Sequence, residues 1–265
     1  MCFIASLFDF LKYWDIHEWQ FFDYFWLKNT KDMPDKYLLE VCTGNLCSVK
    51  AAVRAGAQRV ELCSALGVDG LTPSVGLIRY VRQKYSDLTL HVLIRPREGN
   101  FVYTQDELAV MQADVCAAVE AGADGVVIGC LTAEGNIDTS AVKRLIQAAD
   151  GRHVTFHRAF DHCKHPEQAL EDIIDLGCDR LLTSGQAPQA IEGLTLLRRL
   201  VAQSAGRIII MPGAGVTAEN ATKILLTTEA SEIHASASVQ PYPDADYRET
   251  SEQKVRDILA TIGRL

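Results

Sequence analysis

From Tyr37 onward the chain alternates short apolar runs, rich in valine, isoleucine and leucine, with longer segments of helical periodicity. This alternation constrains the fold more than any other feature, because strand, crossover helix and parallel strand form the repeating unit of α/β sheets. The apolar runs lie at 37–42, 59–63, 89–96, 124–129, 153–160, 180–185, 207–213 and 232–238. Eight such units, with no GxGxxG turn after the first strand, predict a (β/α)8 TIM-type barrel rather than an open doubly wound sheet. A degenerate repeat marks the helix-to-strand turns. RAGAQRVELC starts at Arg54, EAGADGVVIG at Glu120, DLGCDRLLTS at Asp175 and TTEASEIHAS at Thr227. In the first three a glycine stands where a helix C-cap needs a positive φ.

The barrel is therefore expected over 37–265, preceded by an N-terminal extension over 1–36. That extension holds all three tryptophans (Trp14, Trp19, Trp26) and an aromatic cluster of Phe21, Phe22, Tyr24 and Phe25. Phe3, Ile4, Leu7, Phe8 and Leu11 recur at helical spacing, which predicts an amphipathic helix packed on the barrel or on a partner subunit. Such an aromatic surface favours a homo-oligomer. The segment lacks the basic start and small-residue cleavage site of a signal peptide, and Asp9, Lys12, Asp15, Glu18 and Asp23 interrupt any membrane span. Neither secretion nor membrane contact is expected.

A formal charge of -8 argues against nucleic-acid binding, since no basic stripe is present to displace counterions from phosphates. A small neutral or anionic ligand is the compatible partner. The eight cysteines contain no CxxC pair and lack the dense spacing of a disulfide scaffold, which predicts reduced thiols in the cytoplasm and no structural zinc. Cys47, Cys116, Cys130 and Cys178 read as small apolar core residues.

Side chains alternate across a strand, so residues two apart share a face. Leu38, Glu40 and Cys42 share one in the first strand, and Arg59, Glu61 and Cys63 share one in the second. Glu40 and Glu61 should then lie side by side in the lumen, with Cys42 and Cys63 one layer nearer the mouth. Arg95 on the third strand, His157 on the fifth and His234 on the eighth extend the set. Five titratable groups on five strands are costly to bury unless they meet. At the carboxyl ends of barrel strands they read as catalytic groups, with Asp161 placed to orient His157. Arg158 has the opposite parity and is expected to face the helices. The competing reading is a neutralised salt-bridge network closing the top of the barrel. Arg97, Thr183, Ser184, Gly185, Gly213, Gly215 and Ser236 fall where barrels often hold an anion. Cys42 and Cys63 are candidate metal ligands, because soft thiolates suit Cu(I).

These residues, taken together, resemble the CutC copper homeostasis proteins. The segments that carry the resemblance are Leu39–Cys42, Arg59–Cys63, Thr72–Ser74, Ile94–Arg97, the TFHRAFD run from Thr155 to Asp161, Leu182–Gly185, Met211–Gly215 and Glu232–Ala237. They span nearly all of residues 38–238, while the aromatic extension lies outside the shared pattern. The resemblance implies a TIM-type barrel, a cytosolic location and copper binding by Cys42 and Cys63, and it names no reaction. Two readings follow. One is a copper-binding protein. The other is an enzyme acting on a small anionic or phosphorylated metabolite, held by Arg95 and the glycine turns, with Glu40 or Glu61 and His157 as base and acid.

Overall fold

The alternation of apolar and polar positions is realised in eight parallel strands: β1 (Leu38–Thr43), β2 (Arg59–Leu62), β3 (Thr89–Leu93), β4 (Gly125–Ile128), β5 (His153–Phe156), β6 (Arg180–Thr183), β7 (Ile209–Pro212) and β8 (Glu232–Ala235). The computed structural model describes residues 37–265. The expected amphipathic helix and the oligomer contact at the N-terminus lie outside the described residues. Hydrogen-bonded neighbours follow the order β7-β6-β5-β4-β3-β2-β1-β8, and β7 lies beside β8, so the sheet closes into a nearly complete barrel.

Among the described residues eight helices wrap it: α1 (Leu46–Ala55), α2 (Val75–Lys84), α3 (Gln105–Glu120), α4 (Thr139–Ala148), α5 (Pro166–Asp175), α6 (Leu194–Ser204), α7 (Ala218–Thr228) and α8 (Glu252–Ile262). Outward-facing strand residues such as Val60, Leu90, Val126, Phe156 and Ile233 pack on helix residues such as Val49, Val81, Met111, Leu145 and Ile224, all fully buried or nearly so. Each such side chain contributes about 1.5–3 kcal/mol of burial. The main core is therefore the layer between sheet and helices, which leaves the lumen free to carry polar groups.

The repeated turns take the expected conformation. Gly56, Gly122 and Gly177 have φ of 96°, 96° and 85°, and Glu229, at the same place in the fourth repeat, is also left-handed at 63°. A helix that ends this way turns its chain directly into the next strand.

Several strands stop short of their apolar runs. β5 ends at Phe156 and the chain then winds into a 3-10 helix, Arg158–His162. The turn is started by His157, whose Nδ1 accepts from the Ala159 N–H at 3.1 Å. Two cysteines depart from the expected core role: Cys47 and Cys116 are exposed, each on the outer face of its helix, whereas Cys130 and Cys178 are buried. After β8 a short antiparallel pair, Ser238–Val239 with Glu249–Thr250, folds the following segment back toward the mouth. Its two-residue strands are too short to leave a period in the sequence.

Candidate metal and ligand site at the barrel mouth

The strands are staggered, as closure of a barrel requires. Glu40 stands opposite Arg59 and His234, whereas Glu61 stands opposite Cys42 and His91. The two Glu-x-Cys motifs are thus offset by one layer, and the expectation that Glu40 and Glu61 share a level is corrected. Parity alone cannot report this stagger.

The offset divides the lumen into a floor and a mouth. On the floor Glu40, fully buried, is ion-paired with Arg59 Nε at 2.8 Å and with His91 Nδ1 at 2.9 Å. Arg59 also reaches Glu232, which pairs with Arg180 at 2.9 Å. Burial alone would raise the Glu40 carboxyl, but His91 and Arg59 outweigh it and hold the pKa at about 2. Glu40, a candidate catalytic group from parity, does not line the mouth cavity and belongs to this ion network. Glu232 shares the inward face of the eighth strand with His234, but Arg180 was not singled out by sequence, since the two lie 52 residues apart and pair only after closure.

Above the floor, Cys42 and Cys63 meet with their sulfurs 3.8 Å apart, both buried. His234 Nε2 lies 2.9 Å from Glu61 Oε2. Cys42, Glu61 and His234 each offer a ligand atom within 4.8 Å of the others. The Cys63 hydrogen bond holds the Cys42 thiol below its ordinary range despite burial. Cys63 is itself pushed well above that range, first by burial and then by the neighbouring sulfur. Burial disfavours charge on His234, yet its hydrogen bonds to Cys42 and Glu61 prevail and carry its pKa well above the usual value. Of the two thiols Cys42 is therefore the one that gives up its proton more readily, beside a His234 ring that holds its own more firmly than usual.

These groups line a cavity of about 1030 Å³, together with Arg95, Phe101, His157, Arg158, Gly215 and Ser236. Arg158 reaches it because the 3-10 helix replaces strand geometry after Phe156, which corrects the expectation that it faces the helices. Asp161 does not orient His157. Its carboxylate instead accepts from the Ser184 hydroxyl at 2.9 Å, from the Ser184 and Gln186 N–H groups at 3.1 and 3.2 Å, and from Thr183, while Arg158 pairs with it at 2.8 Å. Thr183, Ser184 and Gly185 are thereby committed to stapling the turn after β6 and stand outside the cavity lining. Gly213 is required by packing, since a Cβ there would come within 2.4 Å of Leu182. Arg97 also stands outside, bound to Glu107 and to the backbone of Asn100 and Val102.

A family model described as the CutC family matches residues 37–239. The chain belongs to the CutC family. A CutC family protein of Vibrio cholerae serotype O1 is 52% identical over 204 residues, covering 76% of this chain and 80% of that protein. One from Xylella fastidiosa is 44% identical over 238 residues, covering 85% and 89%. The crystal structure of CutC from Streptococcus agalactiae, a proposed copper homeostasis protein, superposes with a TM-score of 0.73 at 37% identity, covering 76% of this chain and 98% of that one. The matched span of the CutC model contains the cysteine pair, Glu61, His157 and His234, whereas the hairpin residues Tyr247 and Arg248 that border the cavity lie beyond it.

Proposed function

We propose that this CutC family member binds Cu(I) in the cytoplasm through the thiolates of Cys42 and Cys63, with His234 as a third donor, and so serves copper homeostasis. The observation that carries this reading is the 3.8 Å separation of the two sulfurs. Metal–sulfur bonds of roughly 2.3 Å span that distance at a bent angle of about 110°, which leaves room for a third ligand. The donor set fits a soft ion, because thiolates favour Cu(I) over hard cations. Glu61 holds the His234 ring as carboxylates commonly hold metal-binding imidazoles. Among the described residues no helix is long and apolar enough to cross a membrane. Competition titration against a Cu(I) chelator tests the reading. The double variant Cys42→Ser, Cys63→Ser is expected to lose Cu(I) binding, and equal affinity in variant and wild type overturns it.

A second reading is favoured by the size of the cavity, which far exceeds one metal ion and matches pockets for small molecules. In it the barrel acts on a small anionic metabolite. Failure of every phosphorylated or carboxylated compound in a metabolite set to raise the melting temperature would remove this reading.

A further inference from the structure

Arg95 is 4% exposed and carries a permanent positive charge. Its guanidinium is tethered by three backbone carbonyls, with Nη1 donating to Val68 and Gly70 at 2.7 and 2.8 Å and Nη2 to Gly99 at 3.0 Å, and it also meets the Tyr103 hydroxyl. Carbonyls anchor the group without neutralising it. Among the described residues no carboxylate lies within ion-pair distance of Arg95, whereas the buried Arg59 and Arg180 are matched by Glu40 and Glu232. The Tyr103 hydroxyl beside it is neutral as well, with burial pushing its pKa up to about 12. A buried charge without a counter-charge is costly, and the cost is removed when an anion arrives.

His157, 5% exposed, supplies a second donor nearby. The Phe101 ring touches both residues, at 5.0 Å from the imidazole centroid and 5.2 Å from Arg95 Cζ. Because the Ala159 N–H occupies Nδ1, the neutral ring must carry its proton on Nε2. Burial first, and the charge of Arg95 second, lower the His157 pKa to about 3, so the ring stays neutral at physiological pH. Nε2 of His157 and Nε of Arg95 are both buried N–H groups with no hydrogen-bond acceptor. Such orphaned donors are rare in folded proteins and call for a partner. Both side chains line the mouth cavity.

We propose that Arg95 and His157 form a receptor for a compact oxyanion, a carboxylate or phosphoryl group, which accepts from His157 Nε2 and Arg95 Nε beside the Phe101 ring. This subsite rests on the second reading above and specifies the chemical class of its ligand. Neither residue is a donor of the thiol site, so metal and oxyanion occupy different parts of one cavity. The neutral imidazole donates to the bound oxygen without giving up a proton, which suits a group that polarises a ligand oxygen.

The test is titration of the full-length protein, carrying ¹⁵N-labelled histidine, with sodium phosphate and separately with sodium acetate. The His157 ring is expected to show a protonated Nε2 whose resonance moves with at least one of the two anions. The anion that moves it distinguishes phosphoryl from carboxylate recognition. His157→Phe keeps an aromatic ring and removes the donor, and is expected to weaken that binding about tenfold or more. This variant carries the test because Arg95→Met also cuts three loop tethers. If neither anion moves the His157 signal, the proposal falls. If an anion shifts other cavity residues but binds His157→Phe equally well, the subsite falls while the second reading stands. If no cavity residue responds to either anion, both fall.

Discussion

Replacing Arg59 by methionine tests whether the barrel floor is held by its ions. Arg59 is 2% exposed and ion-pairs with both Glu40 and Glu232, so Arg59→Met keeps the length of the side chain and takes one cationic partner from each of two buried carboxylates. Glu40 then retains His91 and Glu232 retains Arg180. Removing one partner of a buried pair costs about 3–5 kcal/mol. At about 2–4 °C per kcal/mol for a domain of this size, the melting temperature should fall by about 6–20 °C. The penalty must also depend on pH. In the wild type the Glu40 pKa is about 2, below the unfolded value of roughly 4.3, so its stabilisation is full above that value and is lost as pH falls toward 2. In the variant both carboxyl pKa values rise, because burial is opposed by fewer partners, so less stability is gained as pH rises out of the acid range. Both effects make the gap widest near neutrality and narrower in acid. Urea unfolding followed by circular dichroism at about pH 7 and about pH 4 measures it. A gap under about 1 kcal/mol at the higher pH, the scale of an exposed ion pair, would refute the floor network as a structural element. So would a gap independent of pH.

Two further substitutions probe the mouth. Glu61→Gln removes the carboxylate that supports charge on His234, so the imidazole pKa should drop toward or below its ordinary value in a histidine NMR titration. Because a raised pKa stabilises the fold at low pH and that contribution is lost as pH rises through the folded value, the variant should be selectively weakened below roughly pH 6.5. Its Cu(I) affinity should fall by about 10- to 100-fold, as for loss of a group that orients a metal-binding histidine; an unchanged affinity argues against His234 as a donor. Gly129→Ala would set a Cβ 2.4 Å from two His157 ring atoms and 3.0 Å from the Ala159 Cβ. It should cost about 1–3 kcal/mol in denaturant unfolding and displace the His157 ring resonances, and a neutral substitution there would mean that this imidazole is not tightly seated.

How much of this could be read from the chain depends on the range of each interaction. Strand number and order, the left-handed turns at Gly56, Gly122 and Gly177, and the inward parity of Glu61, Cys63, His157 and His234 are encoded in local periodicity, which a single sequence displays directly. The departures have two causes, one local and one long-range. Arg158 changes sides because His157 caps a 3-10 turn that parity does not anticipate, and Thr183 and Ser184 are taken by Asp161, more than 20 residues away.

The sequence by itself determined the alternating barrel, the motifs that place the chain in the CutC family, and much of the polar set that enters the lumen. Only the tertiary structure decided which of those side chains meet. Closure staggers the strands, and that stagger sends Glu40 to an ion-paired floor with Arg59 while raising Glu61 to the level of Cys42. It also leaves Arg95 buried among neutral carbonyls, with Arg95 and His157 both against the Phe101 ring. Charge compensation is a property of neighbours in space, and those neighbours come from strands far apart in the chain.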